Sequence, residues 1–388
     1  MEKIYLDNAA TTKVDPKVFL AMKPYFSDFY GNASSLHSFG LMAKKALEEA
    51  REIIAQKINA KHNEIIFTSG ATEADNLAIR GIAYANHDKG NHIITTRIEH
   101  PATLETCHFL ESQGFQVDFL PTNEEGFVDV EKLKAKLTEK TILVSVMFAN
   151  NEIGTIEPIE EIGRIIKNWN KEHKTKIHFH SDAVQAFTKI AIDVQKLNLD
   201  LMSLSSHKIY GPKGVGCLYV REGTKIEKIM RGGRHEYNLR PGTENVAGAV
   251  GFGKAAEVIK PESYKAVKAL RTYLIDKILK KIPGATLNGP VEQNVLPNIA
   301  NFVFKNVEGE ALMLLLDKEG IAVSTGSACA SHSLEPSYVL LAIGVKPEDA
   351  HGSIRISLGK ENTKQEIDYV AKVIKEAVVK LRKMNPYK

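Results

Sequence analysis

Short apolar runs alternate with amphipathic stretches along the first two thirds of the chain. Seven of the runs have strand character: EIIFT, NHIITT, QVDFLP, TILVSVM, KIHFHSD, LDLMSLS and GVGCLYV. This alternation predicts an α/β architecture, a mostly parallel seven-stranded sheet flanked by helices, as a large domain over residues 15–258. In such sheets ligands gather at the carboxyl ends of the strands, so the polar residues that follow each strand become the candidates for chemistry. The pattern breaks around Lys260-Pro261-Glu262. A helix-like run from Ser263 to Ile282, a strand from Ile299 to Phe304 and later helices predict a smaller α+β domain over residues 259–388. Residues 1–14 are too short an extended piece to bury themselves alone, and are expected to join the small domain.

Composition narrows the classes. A chain of 388 residues exceeds one average core, and 43% hydrophobic with 25% charged residues is ordinary globular composition, which excludes disordered, collagenous and repeat architectures. The formal charge of +4 is small and its lysines are scattered, so no nucleic-acid partner is expected, although a small anionic ligand is compatible. No apolar leader and no run near about 18 apolar residues occurs, so neither secretion nor membrane spanning is predicted, and the cytoplasm is the expected compartment. Cys107, Cys217 and Cys329 form no CxxC pair, which disfavours a disulfide framework and a structural metal site.

Candidate chemistry follows the strands. After EIIFT the turn leads through Ala71 and Thr72 into a helix. Thr72 with Asp75 fits a capping box, and the exposed N–H groups of such a helix start also suit an anion such as phosphate. Asp182, at the end of KIHFHSD, is either a helix N-cap or a carboxylate that keeps a pyridinium nitrogen protonated, with Gln185 one turn on to bond a ring oxygen. Lys208 follows LDLMSLS, twenty-six residues after Asp182, so the two can converge on one cleft. A lysine desolvated between Ser205, Ser206, His207 and a Gly-Pro segment is suited to Schiff-base chemistry, and Asp with Lys is the protein contribution typical of pyridoxal phosphate sites. His100, in Ile98-Glu99-His100-Pro101, either caps the following helix or lies against a ring. Cys329 sits in Ser324 to Ser333, a stretch of small and polar residues that predicts an exposed, movable thiol, whereas Cys107 and Cys217 fall in apolar helix and strand patterns that predict inert packing. Arg355 alternates with Ile354 and Ile356 on a predicted strand and is either a surface ion-pair partner or a clamp for a substrate carboxylate.

Ten ordered motifs then resemble one family: YLDNAATT at 5–12, GNASSLH at 31–37, FTSGATEADNLAIRG at 67–81, EHPA at 99–102, NNEIGT at 150–155, HSDAVQ at 180–185, SHKIYGPKG at 206–214, RPGTEN at 240–245, GSACASHSLEPSYVL at 326–340 and IRISLG at 354–359. The chain resembles the cysteine desulfurases of the NifS/IscS kind, fold-type I pyridoxal-phosphate-dependent transferases, in the group with a long cysteine loop. The resemblance implies cofactor attachment at Lys208, ring contacts from His100, Asp182 and Gln185, and a cofactor site that includes Ser206. It further implies phosphate contacts from Ala71, Thr72, Ser205, His207 and, from a second subunit of a homodimer, Thr243. Asn151 and Arg355 would bind L-cysteine, His100 would assist proton transfer and Cys329 would receive the sulfur. The acceptor beyond Cys329 would be an iron–sulfur scaffold or a tRNA-thiolation carrier. Many relatives continue past LRKMNPYK with a tail that contacts the scaffold, so here a scaffold contact is either not made or uses another surface. Three other readings stay open as alternatives: a selenocysteine lyase or other lyase, an aminotransferase on the same fold, and a non-catalytic dimer.

Overall fold

The computed structural model describes residues 3–326 and 335–384. Seven strands form the large sheet: β2 (Ile65–Thr68), β3 (His92–Thr96), β4 (Gln116–Leu120), β5 (Thr141–Ser145), β6 (His178–Asp182), β7 (Leu201–Ser205) and β8 (Gly216–Val220), after a short β1 (Ile4–Tyr5) outside it. Their order is β2-β8-β7-β6-β5-β3-β4. β4, β3, β5, β6 and β7 run parallel, while β8 is antiparallel to both β7 and β2. Strands β5 to β8 are buried at every position, as expected of a sheet covered on both faces, and this is why they read as nearly unbroken apolar runs.

The two faces are packed by alternate side chains. Phe67, Val144, Phe179 and Leu204 belong to one core cluster, and Ile66, Ile93, Leu143 and Leu218 to the cluster on the opposite face. A further core lies around β9 (Ala285–Asn288), β10 (Ile299–Phe304) and β12 (Ser353–Ser357), an antiparallel sheet in the order β12-β10-β9, backed by helices Lys265–Lys281 and Lys364–Met384. Ile4 and Leu6 pack into this core, and β1 pairs in parallel with β11 (Ile321–Ala322). The opening segment is therefore anchored on the C-terminal side of the molecule before it crosses toward the large sheet.

The capping box predicted from Thr72 and Asp75 does not form. Gly70 is the N-cap of helix Ala71–Ala85 and provides no side-chain cap, so Thr72 is already inside the helix, and Asp75 is fully buried. The helix starts two residues earlier than the cap pattern implies because β2 ends at Thr68. Gly216 permits this tight exit: a Cβ there would stand 2.8 Å from the carbonyl carbon of Gly70.

Candidate active site

A cavity of about 440 Å³ opens at the carboxyl ends of the parallel strands. Each wall can be traced to a local feature of the chain. Ala71 and Thr72 contribute the uncapped helix start, whose N–H groups and positive dipole end face the cavity. Asp182 ends β6 and Ser205 ends β7, and both side chains reach the cavity, as do Gln185, His207 and Lys208 in the turns that follow. His100 comes from the turn after β3, Asn151 from the segment after β5, and Arg355 crosses from β12 of the other sheet.

The segment Asp7 to Thr12 ties these walls together. Lys208 Nζ donates to the carbonyl oxygens of Ala9 and Ala10, both at 2.7 Å, and Gln185 Nε2 donates to the same Ala9 oxygen at 3.0 Å. Thr12 Oγ1 donates to His207 O and accepts from Tyr210 N, which holds Tyr210 in a left-handed conformation at φ 64° and fixes the turn that carries Lys208. Arg355 Nη2 donates to Asp7 Oδ1 at 2.9 Å and Nη1 to Asn151 O at 3.0 Å. One strap thus sets both the lysine and the guanidinium.

Electrostatics follow from burial. The Asp182 carboxyl is pushed up to about 6 by burial, against the pull of the Val184 N–H and the Lys208 cation, and so remains ionised near neutral pH. Its hydrogen bond from Val184 N closes a turn rather than starting a helix, so the N-cap alternative for Asp182 does not apply. His100 is held down to about 4, first by burial and then by the Lys208 charge. Both readings of His100 hold together: its Nδ1 accepts from Ala102 N at 3.1 Å as the cap of helix Pro101–Ser112, and its ring lines the cavity. A neutral imidazole with Nδ1 engaged carries its proton on Nε2, so in this arrangement it offers a donor, and accepting a proton requires release of the cap.

Not every predicted residue reaches the cavity. Ser206 is fully buried behind the turn and its hydroxyl does not line the cavity. Thr243 is exposed and lines an adjoining space of about 240 Å³ shared with Ser69 and Gly214. Cys329 lies outside the described residues. Cys107 and Cys217 are buried and unpaired, with thiols pushed far above their ordinary range by burial, as inert packing requires.

The donor set fits an anionic, planar, heteroaromatic cofactor. Three buried polar atoms on the cavity residues lack a partner, namely Gln185 Oε1, Asn151 Oδ1 and Arg355 Nε, and the helix start at Ala71 has no side-chain cap. Orphaned polar groups of this kind call for a ligand.

The chain belongs to the aminotransferase class-V family, whose profile matches residues 4–370. Within that family it is a cysteine desulfurase. It is 54% identical over 389 residues to the cysteine desulfurase IscS of Clostridium botulinum, covering 99% of this chain and 96% of the relative. A solved NifS-like protein superimposes with a TM-score of 0.90 at 40% identity, covering 97% of this chain and 99% of that one. The structure of SspA in complex with cysteine superimposes with a TM-score of 0.81 at 37% identity, covering 93% and 100%. The enzymes of this family use pyridoxal phosphate.

Sequence reasoning missed several site groups. The Ala9 and Ala10 carbonyls act through the backbone and leave no side-chain signal. Asp7 became visible only once its Arg355 contact was known. Asp75, 3.6 Å from His180 Nε2, and Glu99, which accepts from Thr96 Oγ1 and Met147 N, are buried carboxyls whose charge acts on Asp182. Their acidic residues inside otherwise apolar motifs were the available signal.

Proposed function

We propose that this chain converts L-cysteine to L-alanine and places the sulfur on Cys329 as a persulfide. The observation that carries the reading is the convergence of Lys208, Asp182 and Arg355 on one cavity beside an uncapped helix start. In this reading Ala71, Thr72, Ser205 and His207 hold the phosphate of the cofactor, Asp182 and Gln185 hold its ring, and Lys208 carries it. Bound there, pyridoxal phosphate supplies a sink for the electron pair left when the Cα–H bond breaks. Arg355 and Asn151 orient the cysteine carboxylate, and Lys208 Nζ moves the Cα proton. His100, with its proton on Nε2, serves first as a donor. The Cys329 thiolate attacks the substrate sulfur, the C–S bond breaks, and carbon gains a proton, so the products balance as alanine and Cys329–S–SH. A thiolate is required because the thiol itself is a weak nucleophile.

A homodimer is part of the same reading. Phe19, Leu20, Phe26, Tyr30, Leu36 and Phe39 are exposed along one stretch near the N-terminus, Leu36 at 90%, and such an apolar patch supports association with a second copy. Thr243, exposed in this chain, would then serve the partner's phosphate site. The onward acceptor is an iron–sulfur scaffold or a tRNA-thiolation carrier, and the setting is cytoplasmic, where thiols stay reduced. Among the described residues no helix is long and apolar enough to cross a membrane.

The test is Cys329→Ala assayed with L-cysteine and a reductant. Loss of sulfide release and of a trapped persulfide is expected. Sulfide release at the wild-type rate would overturn the assignment of Cys329, and turnover of other amino acids without cysteine would favour an aminotransferase.

A further inference from the structure

Glu152 follows Asn151 in the chain, yet it has no part in the chemistry above. Its side chain is fully buried, and its Oε1 has no hydrogen-bond partner. Its Oε2 accepts from Ser337 Oγ at 2.6 Å. Gly326 approaches the same oxygen: a Cβ on it would stand 3.1 Å from Glu152 Oε2 and 3.7 Å from the Cβ of Ser337. The chain on either side of residues 327–336, the stretch that holds Cys329, therefore meets at one buried carboxyl.

Each limb is fastened to a different wall of the cavity. On the outgoing limb Ser324 N donates to Arg355 O at 3.2 Å, Arg355 N donates to Ser324 O at 2.7 Å, and Ser324 Oγ donates to Gly326 O at 3.1 Å. On the returning limb the Tyr338 hydroxyl donates at 2.7 Å to the carbonyl oxygen of Glu99, the residue before His100. Helix Tyr338–Ala342 then packs Val339 and Leu340 against Ile98, Met147 and Ile153. Asn150 braces this side, since its Nδ2 donates to Ile98 O at 2.9 Å and its Oδ1 accepts from Glu152 N at 2.8 Å. Where the two ends of a segment are fixed sets the effective concentration of any group that it carries.

We propose that Glu152 and Ser337 are positioning residues for sulfur transfer: their hydrogen bond ties the two limbs together and so sets how often the Cys329 thiol meets the substrate sulfur. The inference rests on the reading of Cys329 as the sulfur acceptor. The tie matters because it is dry. With Glu152 fully buried and Oε1 already without a partner, loss of the Ser337 hydroxyl leaves a second carboxyl oxygen unsatisfied, and the limbs lose their direct link. Ser337 has a second task, since its Oγ also accepts from Leu340 N at 3.2 Å as the cap of helix Tyr338–Ala342. The test must separate the tie from the cap.

A double-mutant cycle does so, with Ser337→Ala and Glu152→Met made singly and together in the full-length, cofactor-loaded protein. Each is mixed with L-cysteine without reductant. Cofactor absorbance reports cysteine binding, and alkylation with peptide mass spectrometry follows the first persulfide on Cys329 against time. Ser337→Ala is expected to slow persulfide formation about tenfold while binding cysteine within about twofold of wild type. Ser337→Thr, which keeps the hydroxyl, should form it at close to the wild-type rate. The double variant should be no slower than the slower single one. Losses that multiply in the double variant mean that only the cap acts, and overturn the proposal. A wild-type persulfide rate in Ser337→Ala overturns it equally, as does a loss confined to cysteine binding. Should Glu152→Met not fold, Ser337→Thr decides: a rate as slow as that of Ser337→Ala overturns the proposal. If the wild type forms no persulfide on Cys329, the reading of that cysteine fails and takes this inference with it.

Discussion

Replacing Arg355 by lysine separates substrate binding from the structural work of the guanidinium. The side chain is 2% exposed, with Nη2 on Asp7 Oδ1 at 2.9 Å, Nη1 on Asn151 O at 3.0 Å, and Nε without a partner. A planar fork serves these protein acceptors and still presents an N–H edge to a ligand carboxylate, whereas a single ammonium cannot satisfy all three at once. Loss of one hydrogen bond to a charged group is worth about 1.5–3 kcal/mol, which corresponds to roughly a 10- to 150-fold fall in kcat/KM for L-cysteine. If Arg355 binds the carboxylate equally in ground and transition states, the loss appears in KM with kcat little changed. Asp7 retains some solvent, so the accompanying destabilisation should be modest. The assay is steady-state alanine formation across cysteine concentrations, beside a thermal melt of the same variant. An unaltered KM together with a lowered melting temperature would refute the reasoning, because Arg355 would then only fasten the strap to β12.

The remaining predictions concern stability. Arg51 makes a bidentate, buried pair with Glu236, which also accepts from Phe67 N, so Arg51→Met leaves an uncompensated carboxylate and should cost about 3–5 kcal/mol in urea unfolding. A loss under 1 kcal/mol would contradict the burial of that pair. Glu157 is raised to about 8 by burial, so the folded state holds its proton through a range where the unfolded state has released it. Its contribution is therefore present below the unfolded pKa and lost as pH rises toward 8. Glu157→Gln should gain in melting temperature relative to wild type from pH 5 to pH 8, and a constant difference would count against the shift. His178 is lowered to about 4 by burial, and both its ring nitrogens lack partners, so its contribution is present above about 6.5 and lost as pH falls. His178→Phe should gain on wild type by about 1.4 kcal/mol per pH unit between 6.5 and 4.5 in parallel melts.

What the sequence revealed, and what it hid, divides along physical lines. The strands of the large sheet were legible because burial on both faces forces unbroken β-branched and aromatic runs, as in Thr141–Ser145. The placement of Lys208 and Asp182 was legible because parallel strands bring their carboxyl ends to one edge. The reversed direction of β8 was not, since GVGCLYV reads alike in either direction and only its tight connection from β7 through Gly211 to Gly214 decides it. The capping pattern at Thr72 and Asp75 misled for a related reason. A cap motif is local, but the helix already begins at Ala71, which leaves Thr72 and Asp75 inside it and turns Asp75 into the core, 3.6 Å from His180 Nε2. We propose the domain division at 258/259, where Val258 packs against both cores and Ile259 belongs to the second.

The seam between those cores explains why so many determinants sit in YLDNAATT. A site built only on the large sheet could hold the cofactor, but Arg355, which we propose as the substrate clamp, comes from β12, on the other core. The two must keep register to within a fraction of an ångström for a bound carboxylate and a reacting carbon to line up. The segment achieves this through main-chain geometry: Asn8 Nδ2 donates to Ser357 O and Ala9 N to Ser357 Oγ on one side, while Ala9 and Ala10 carbonyls receive Lys208 on the other. Gly359 leaves room for the Asn8 amide at the crossing, since a Cβ there would approach Asn8 Oδ1 to 2.6 Å and push that side chain aside. Substituting Gly359 by alanine should therefore displace Asn8 and loosen both anchors together. The effect would be read as a rise in KM for cysteine accompanied by weaker retention of cofactor. A change in only one of the two would mean that the strap does not couple them.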